Sequence, residues 1–184
     1  MTTLLVRRLF NTDYLGYALL VSWFYGLWFA PNSFALVDHN CNEVGILWTV
    51  MTVSFAVSLF ALAVYLKPGR HLRDARRLLV GACAVLAAST AVVSFSGMAG
   101  AFFIVSVICS AAAGVTYALL WMAWGESHAL GRTSFDIGEA VPTIALVQIV
   151  VLACCAFLPV GPAGLFVSLL PLASGVLLIR LLKA

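Results

Sequence analysis

The stretch "KPGRHLRDARR", Lys67 to Arg77, lies between two long apolar runs and holds five of the chain's ten Lys and Arg residues. Around it, 64% of the 184 residues are hydrophobic and only 9% are charged, with a mean hydropathy of +1.10. A water-soluble domain runs near half apolar and about a quarter charged. The composition therefore predicts a chain whose solvent is lipid, in which this basic stretch joins two spans.

Working outward, six apolar runs are long enough for a ~30 Å hydrocarbon layer. They cover residues 14–36, 44–66, 78–96, 101–124, 141–158 and 163–182. Each is expected to be helical, because an unpaired backbone group in hydrocarbon costs several kcal/mol. The ~10-residue alternating segments of a membrane β-barrel do not occur. No linker, low-complexity run or soluble segment separates the runs, so residues 1–184 read as one all-α membrane domain, a six-transmembrane-helix bundle.

Lys and Arg accumulate in the short cytoplasmic loops of multi-pass proteins. Lys67, Arg70, Arg73, Arg76 and Arg77 therefore place their loop inside, and six spans bring both termini to the same side. Arg7 and Arg8 before the first span, Arg132 between the fourth and fifth, and Arg180 and Lys183 at the end agree. The opposite loops, "VDHNCNE", "SGMAG" and "PVGPAG", carry Asp38 and Glu43 and no positive residue. The expected location is a bacterial cytoplasmic membrane. Contact of the basic loop with anionic headgroups is a second use for the same charge. Arg7-Arg8, an apolar run and "SFA" also have the outline of a signal peptide, but the run exceeds the usual ~7–15 residues. Its Trp, Tyr and Phe suit a retained helix with interfacial anchors.

Lipid gives helices no hydrophobic reason to associate, so small residues and interhelical hydrogen bonds carry the packing. Ser106, Ser110, Gly114 and Ala118 recur every four residues in the fourth span, and Gly81, Ala84, Ala88 and Ala91 share a face of the third. These two spans, joined by "SGMAG", are expected to pack closely. Pro171 with Gly175 one turn later marks a kink candidate in the sixth. Pro142 falls near the start of the fifth, where proline is tolerated.

The middle of every span lacks Asp, Glu, Lys, Arg and His, which weighs against a self-contained proton-coupled pump. Recognition of an apolar or neutral compound stays open. Gln148 is the most polar side chain at depth, suited to an interhelical hydrogen bond or to a ligand. Tyr17, Trp23, Tyr25 and Trp28 in the first span, with Tyr117 and Trp121 in the fourth, suit interface anchoring and packing or an aromatic pocket. Pro31-Asn32 would bend or end the first helix and free carbonyls for a cavity. The ligand-pocket candidates are thus Gln148, Trp28, Asn32, Tyr117 and Trp121.

Asp38, His39, Cys41 and Glu43 are metal-ligand types without the paired spacing of a zinc site. Cys83, Cys109, Cys154 and Cys155 fall inside spans and behave as small apolar residues. Trp121 and Trp124 are expected at the cytoplasmic interface, with Gly125 ending the helix. Glu126 and His128, two apart, face different directions on a helix. No catalytic group, cofactor or metal is expected, and no enzyme.

Six spans with both ends inside, a basic 2–3 loop and small-residue faces resemble one half of a major facilitator superfamily fold. The family's loop motif, approximated as G-x-x-x-D-R-x-G-R-R, is matched at Arg73, Arg76 and Arg77, with Ala75 at a glycine position and Leu72 at the aspartate. A closer resemblance is to the membrane regions of bacterial LuxR-type regulators, in which a facilitator-like bundle precedes a helix-turn-helix domain. It rests on "LGYALLVSWFYGLWFAP" and on "AAAGVTYALLWMAWGE", where Gly114, Trp121, Trp124, Gly125 and Glu126 look like a recurrent "G…LLW..WGE" phrase. The resemblance implies a sensory, small-molecule-responsive bundle with no nucleic-acid contact of its own. The alternative is a half-transporter or dimeric facilitator. Expected partners are the bilayer, a small-molecule ligand, and a second six-helix half or a second copy.

The orientation has a direct check. With the other cysteines inside spans, Cys41 is expected to react with a membrane-impermeant maleimide applied from outside. Reaction only after permeabilisation would reverse the topology.

Overall fold

A computed structural model of the chain describes residues 12–30, 32–33, 41–66, 71–95, 103–129 and 137–182. All regular elements among them are helical: α1 (Thr12–Phe29), α2 (Cys41–Tyr65), α3 (Arg76–Phe95), α4 (Phe103–Ala129), α5 (Ile137–Phe157) and α6 (Val160–Leu181), with a 3-10 turn at Leu72–Asp74. α2 to α6 are each long and apolar enough to cross a membrane, and α1 is a shorter apolar helix. Lys67, Arg70, Arg7, Arg8, Arg132, Lys183, Asp38, His39, the "SGMAG" turn and the side chains of Arg73 and Cys41 lie outside the described residues.

Several boundaries move, for local reasons. α1 stops at Phe29 rather than at 36, because the residue before Pro31 is pushed out of the helical region. Ser33 then covers freed carbonyls, its hydroxyl donating to Gly26 O at 2.5 Å and its N–H to Ala30 O at 3.2 Å. α4 does not end at Gly125: it runs on through Glu126, Ser127 and His128 to Ala129. Ser127 is held in that last turn by its own hydroxyl, which donates to Ala123 O at 2.7 Å. α5 begins at Ile137, so Pro142 lies inside it, and α6 passes through Pro171 without a break. Arg76 and Arg77, assigned to the loop, open α3 instead.

Named contacts fix the direction of every helix. Gly16, Trp124 and Ser174 meet at one level, while Ser33, Ser94 and Gly164 meet near the other end. α1 and α3 therefore run opposite to α4 and α6. Asn32 reaches the end of α5, so α5 runs with α1. Met51 lies by Gly114 and Phe55 by Tyr117 and Trp121, so α2 runs with α4. The six helices alternate, and the basic loop, Arg180 and the last turn of α4 share one end. Arg76 also ties that end together, its guanidinium donating to Leu182 O at 3.4 Å just past α6, where a helix terminus favours a cation.

The principal pairings are α1 with α5 and α6, α4 with α2 and α3, and α3 with α6. Exchanging each helix with the one three places along maps this set onto itself. The pairings form a row, α5–α1–α6–α3–α4–α2, in which α1 and α4 hold equivalent places, each with two neighbours.

Close backbone approach decides where α4 packs. Ser106, Ser110, Gly114 and Ala118 are all buried. A Cβ on Gly114 would run into Met51 O and lie 2.9 Å from Phe55 N, so α2 presses backbone against backbone there. The small face expected on α3 is different. Gly81, Ala84 and Ala88 are exposed, and α3 turns Ala82, Cys83, Leu86, Ala87, Ser89 and Thr90 inward instead. Both faces of α3 are apolar with small residues, so spacing alone could not choose between them.

Replacing Gly114 by Leu is expected to lose about 1–3 kcal/mol, the usual cost of overpacking. Gly81→Leu meets nothing within 4 Å and should leave the thermal transition in detergent unchanged. Equal melting of the two variants would contradict the α2–α4 contact.

Candidate functional site

Two fully buried tryptophans set the frame of the site. In hydrocarbon an indole N–H finds no water, so it requires a partner from another helix. Trp23 on α1 donates to Thr90 Oγ1 on α3 at 3.0 Å, and that hydroxyl donates to Leu86 O at 2.7 Å. Trp124 on α4 donates to Ser174 Oγ on α6 at 3.0 Å, and Ser174 donates to Gly16 O on α1 at 2.7 Å. Trp124 is therefore a core residue, not an interface anchor. Its ring occupies the space where a Cβ on Gly16 would lie, which is why α1 carries glycine at that level.

Between α1 and α4 the interval is filled by rings. Tyr117 lies 5.0 Å from Trp23, 5.8 Å from Phe24 and 5.0 Å from Phe55, centroid to centroid. Trp121 continues the row at 5.7 Å from Tyr117, and Tyr17 meets Trp121 at 5.3 Å with the planes inclined by 59°. One turn further, His128 is stacked on both Tyr14 and Trp124 at 5.6 Å and stands edge-on to Tyr17 at 5.9 Å. These distances fall in the range of favourable aromatic pairs, each worth about 0.5–1.5 kcal/mol.

The row of rings ends in an open cleft of about 310 Å³ lined by Tyr17, Trp121, Gly125, His128 and Ala129. Its lining is mostly apolar, and among the described residues it contains no Asp, Glu, Lys or Arg. Trp121, Gly125, His128 and Ala129 form one face of α4, with Gly125 four residues after Trp121, and His128 and Ala129 three and four after Gly125. The absent side chain of Gly125 leaves the floor of the cleft open, since a Cβ there meets nothing within 4 Å.

The residues singled out from sequence disperse. Trp121 lines the cleft and Tyr117 stands behind it as a buried wall. Trp28 lies apart, donating to Met51 Sδ at 3.0 Å and tying α1 to α2. Asn32 caps α5: its amide donates to Ala156 O at 3.1 Å and Leu158 O at 3.0 Å, closing carbonyls that a helix end leaves open. Gln148 is half-buried on α5, beside the face that Val147, Val151 and Cys155 turn inward, and is not part of the cleft. Cys83, Cys109, Cys154 and Cys155 are free thiols. Among the described residues no group of His, Cys, Asp and Glu could hold a metal.

Gly125, His128 and Ala129 escaped notice as lining residues because the polar run after Trp124 looked like a helix leaving the membrane. The signal was present in the spacing. Extending α4 by one turn puts all three below Trp121 on the same face.

No protein-family model matches the chain, and neither a curated protein nor a solved structure matches it.

The two tryptophans of α4 are expected to separate cleanly on truncation. Trp124→Ala removes the α4–α6 hydrogen bond and opens a core void, on the order of 3 kcal/mol or more. Trp121→Ala only widens the cleft. A thermal shift in detergent that ranks Trp121→Ala as the more damaging would refute these assignments. Ser174→Ala should cost about 0.6 kcal/mol and at most ~1.7, as interhelical hydrogen bonds in membranes do.

Proposed function

We propose that the chain is a membrane-embedded bundle that binds a small neutral compound and serves as the sensory half of a LuxR-type regulator. On this reading the bundle lies in the bacterial cytoplasmic membrane with both termini inside, and the DNA-binding domain is outside these residues. One observation carries the reading. Two of the residues through which the sequence resembles those regulators line the cleft, and two more hold α4 in place behind it. Trp121 and Gly125 line it, Trp124 pins α4 to α6 and α1, and Gly114 seats α4 against α2. A cleft whose walls are held from behind is suited to a ligand that changes how α1 and α4 sit together.

Sensing, rather than ion-coupled pumping, is favoured by the lack of charge in the middle of every helix. The second reading is a dimeric facilitator or half-transporter. It is favoured by the exposed small-residue face of α3, where Gly81, Ala84 and Ala88 would let another helix approach.

The reading frame that encodes the chain tests the regulator. A helix-turn-helix segment in the same frame is the expected finding, and a frame without one gives the second reading precedence. Reconstituted in liposomes, the bundle is expected to carry no saturable flux of neutral compounds. Saturable flux would make the facilitator the function.

A further inference from the structure

We infer that the cleft between α1 and α4 takes a planar, uncharged aromatic molecule, gripped by its ring faces over the open floor at Gly125. This rests on the ligand-binding reading above and names the class of ligand.

The walls are aromatic and steeply inclined to one another. Tyr17 makes 59° with Trp121 and 81° with His128. These rings already touch one another, so a ligand ring would lie against them from the cleft side, where rings at such different inclinations offer both faces and edges, the two arrangements that aromatic rings prefer. The walls are also fixed in advance. Trp121 is backed by Tyr117 and Phe55, and His128 is held between Tyr14 and Trp124. Little side-chain freedom remains to be lost when a rigid ligand enters.

Size and charge narrow the class. About 310 Å³ lies at the lower end of small-molecule pockets, room for a compact ring system rather than a peptide. Among the described residues no Asp, Glu, Lys or Arg lines the cleft, and these residues offer an ion no charged partner for its lost hydration. The Tyr17 hydroxyl and the rings of Trp121 and His128 supply polar edges for one hydroxyl or N–H on the ligand.

Gly125 is the independent observation. A glycine inside a helix is unfavourable relative to alanine. At Gly16 and Gly114 a neighbouring ring or backbone demands it, whereas at Gly125, as at Gly45 and Gly81, nothing stands within 4 Å, and of these three Gly125 is the one that lines the cleft. The space it leaves is the cleft itself.

Calorimetric titration of the chain in lipid nanodiscs, with empty nanodiscs subtracted, tests this with 2-naphthol and decahydro-2-naphthol. The two share a skeleton and a hydroxyl, but only the first is flat and aromatic. 2-Naphthol is expected to saturate one site per chain, with the saturated analogue and the anion 2-naphthoate weaker by ~10-fold or more. Gly125→Leu should weaken 2-naphthol by a similar factor with helix content retained. If that variant loses helix content, Ala129→Leu narrows the same cleft from its exposed end. Equal binding of the saturated analogue, lost on Gly125→Leu, would overturn the aromatic class and leave the ligand-binding reading standing. Binding of 2-naphthol that neither variant weakens would overturn the cleft as the site, and no saturable binding of 2-naphthol would overturn the inference outright.

Discussion

The arrangement of this bundle depends on one relay: the indole N–H of Trp124 to Ser174, and the Ser174 hydroxyl to the carbonyl of Gly16. In water each of these groups could be satisfied by solvent, and the relay would be worth little. In hydrocarbon the choice lies between a partner and an unsatisfied polar group, so the relay fixes three helices at one level. Other features follow from that level. Gly16 carries no side chain because the indole lies against it. Trp124 is in the core, so the helix that carries it cannot yet have left the bundle. Gly125 to Ala129 remain helical for that reason, and the cleft exists because they do.

α1 and α4 occupy equivalent places. Each supports two neighbours, and each sends an indole to a hydroxyl two helices further along the chain, Trp23 to Thr90 and Trp124 to Ser174. With alternating helices and three in each unit, the two units cross the layer in opposite senses, as in inverted repeats. The backbones of α1 and α4 are not among the close pairings, and large rings fill the interval between them. Small residues draw α4 onto α2, while aromatic residues hold it away from α1. A cleft between helices needs both kinds of contact, one to fix the helices and the other to leave room.

The number and order of the helices were legible in the sequence, because long apolar runs separated by short polar connections mark helices whose solvent is apolar. Which face of a helix meets another helix was far less legible. Lipid and helix interior are both apolar, so hydropathy does not distinguish Ala82 and Ala87, which are buried, from Ala84 and Ala88, which are not. Trp121 and Trp124 illustrate the same limit. Three residues apart, both were placed at the membrane interface, with Trp121 also a pocket candidate, yet one lines an open cleft and the other is sealed in the core. Asn32 was read as a ligand-pocket candidate beside a bent or ended helix. Its partners, the last carbonyls of α5, lie more than a hundred positions away in the chain. No local pattern carries that information.

The polar end of α4 shows how lipid changes the meaning of a residue type. In a soluble helix, Gly-Glu-Ser-His after two tryptophans would mark an exit into water, and the length of the apolar run points to the same end here. Ser127 instead donates back to Ala123, and the His128 ring is stacked on Tyr14 and Trp124, so both stay in the helix. A Cβ on Gly125, in the same turn, would meet nothing within 4 Å. Polar side chains that fold back onto their own helix can extend it past the apolar run. A glycine among them then becomes a gap in the wall rather than a stop, and that gap is what turns the α1–α4 interval from a packed seam into a place a ligand can enter.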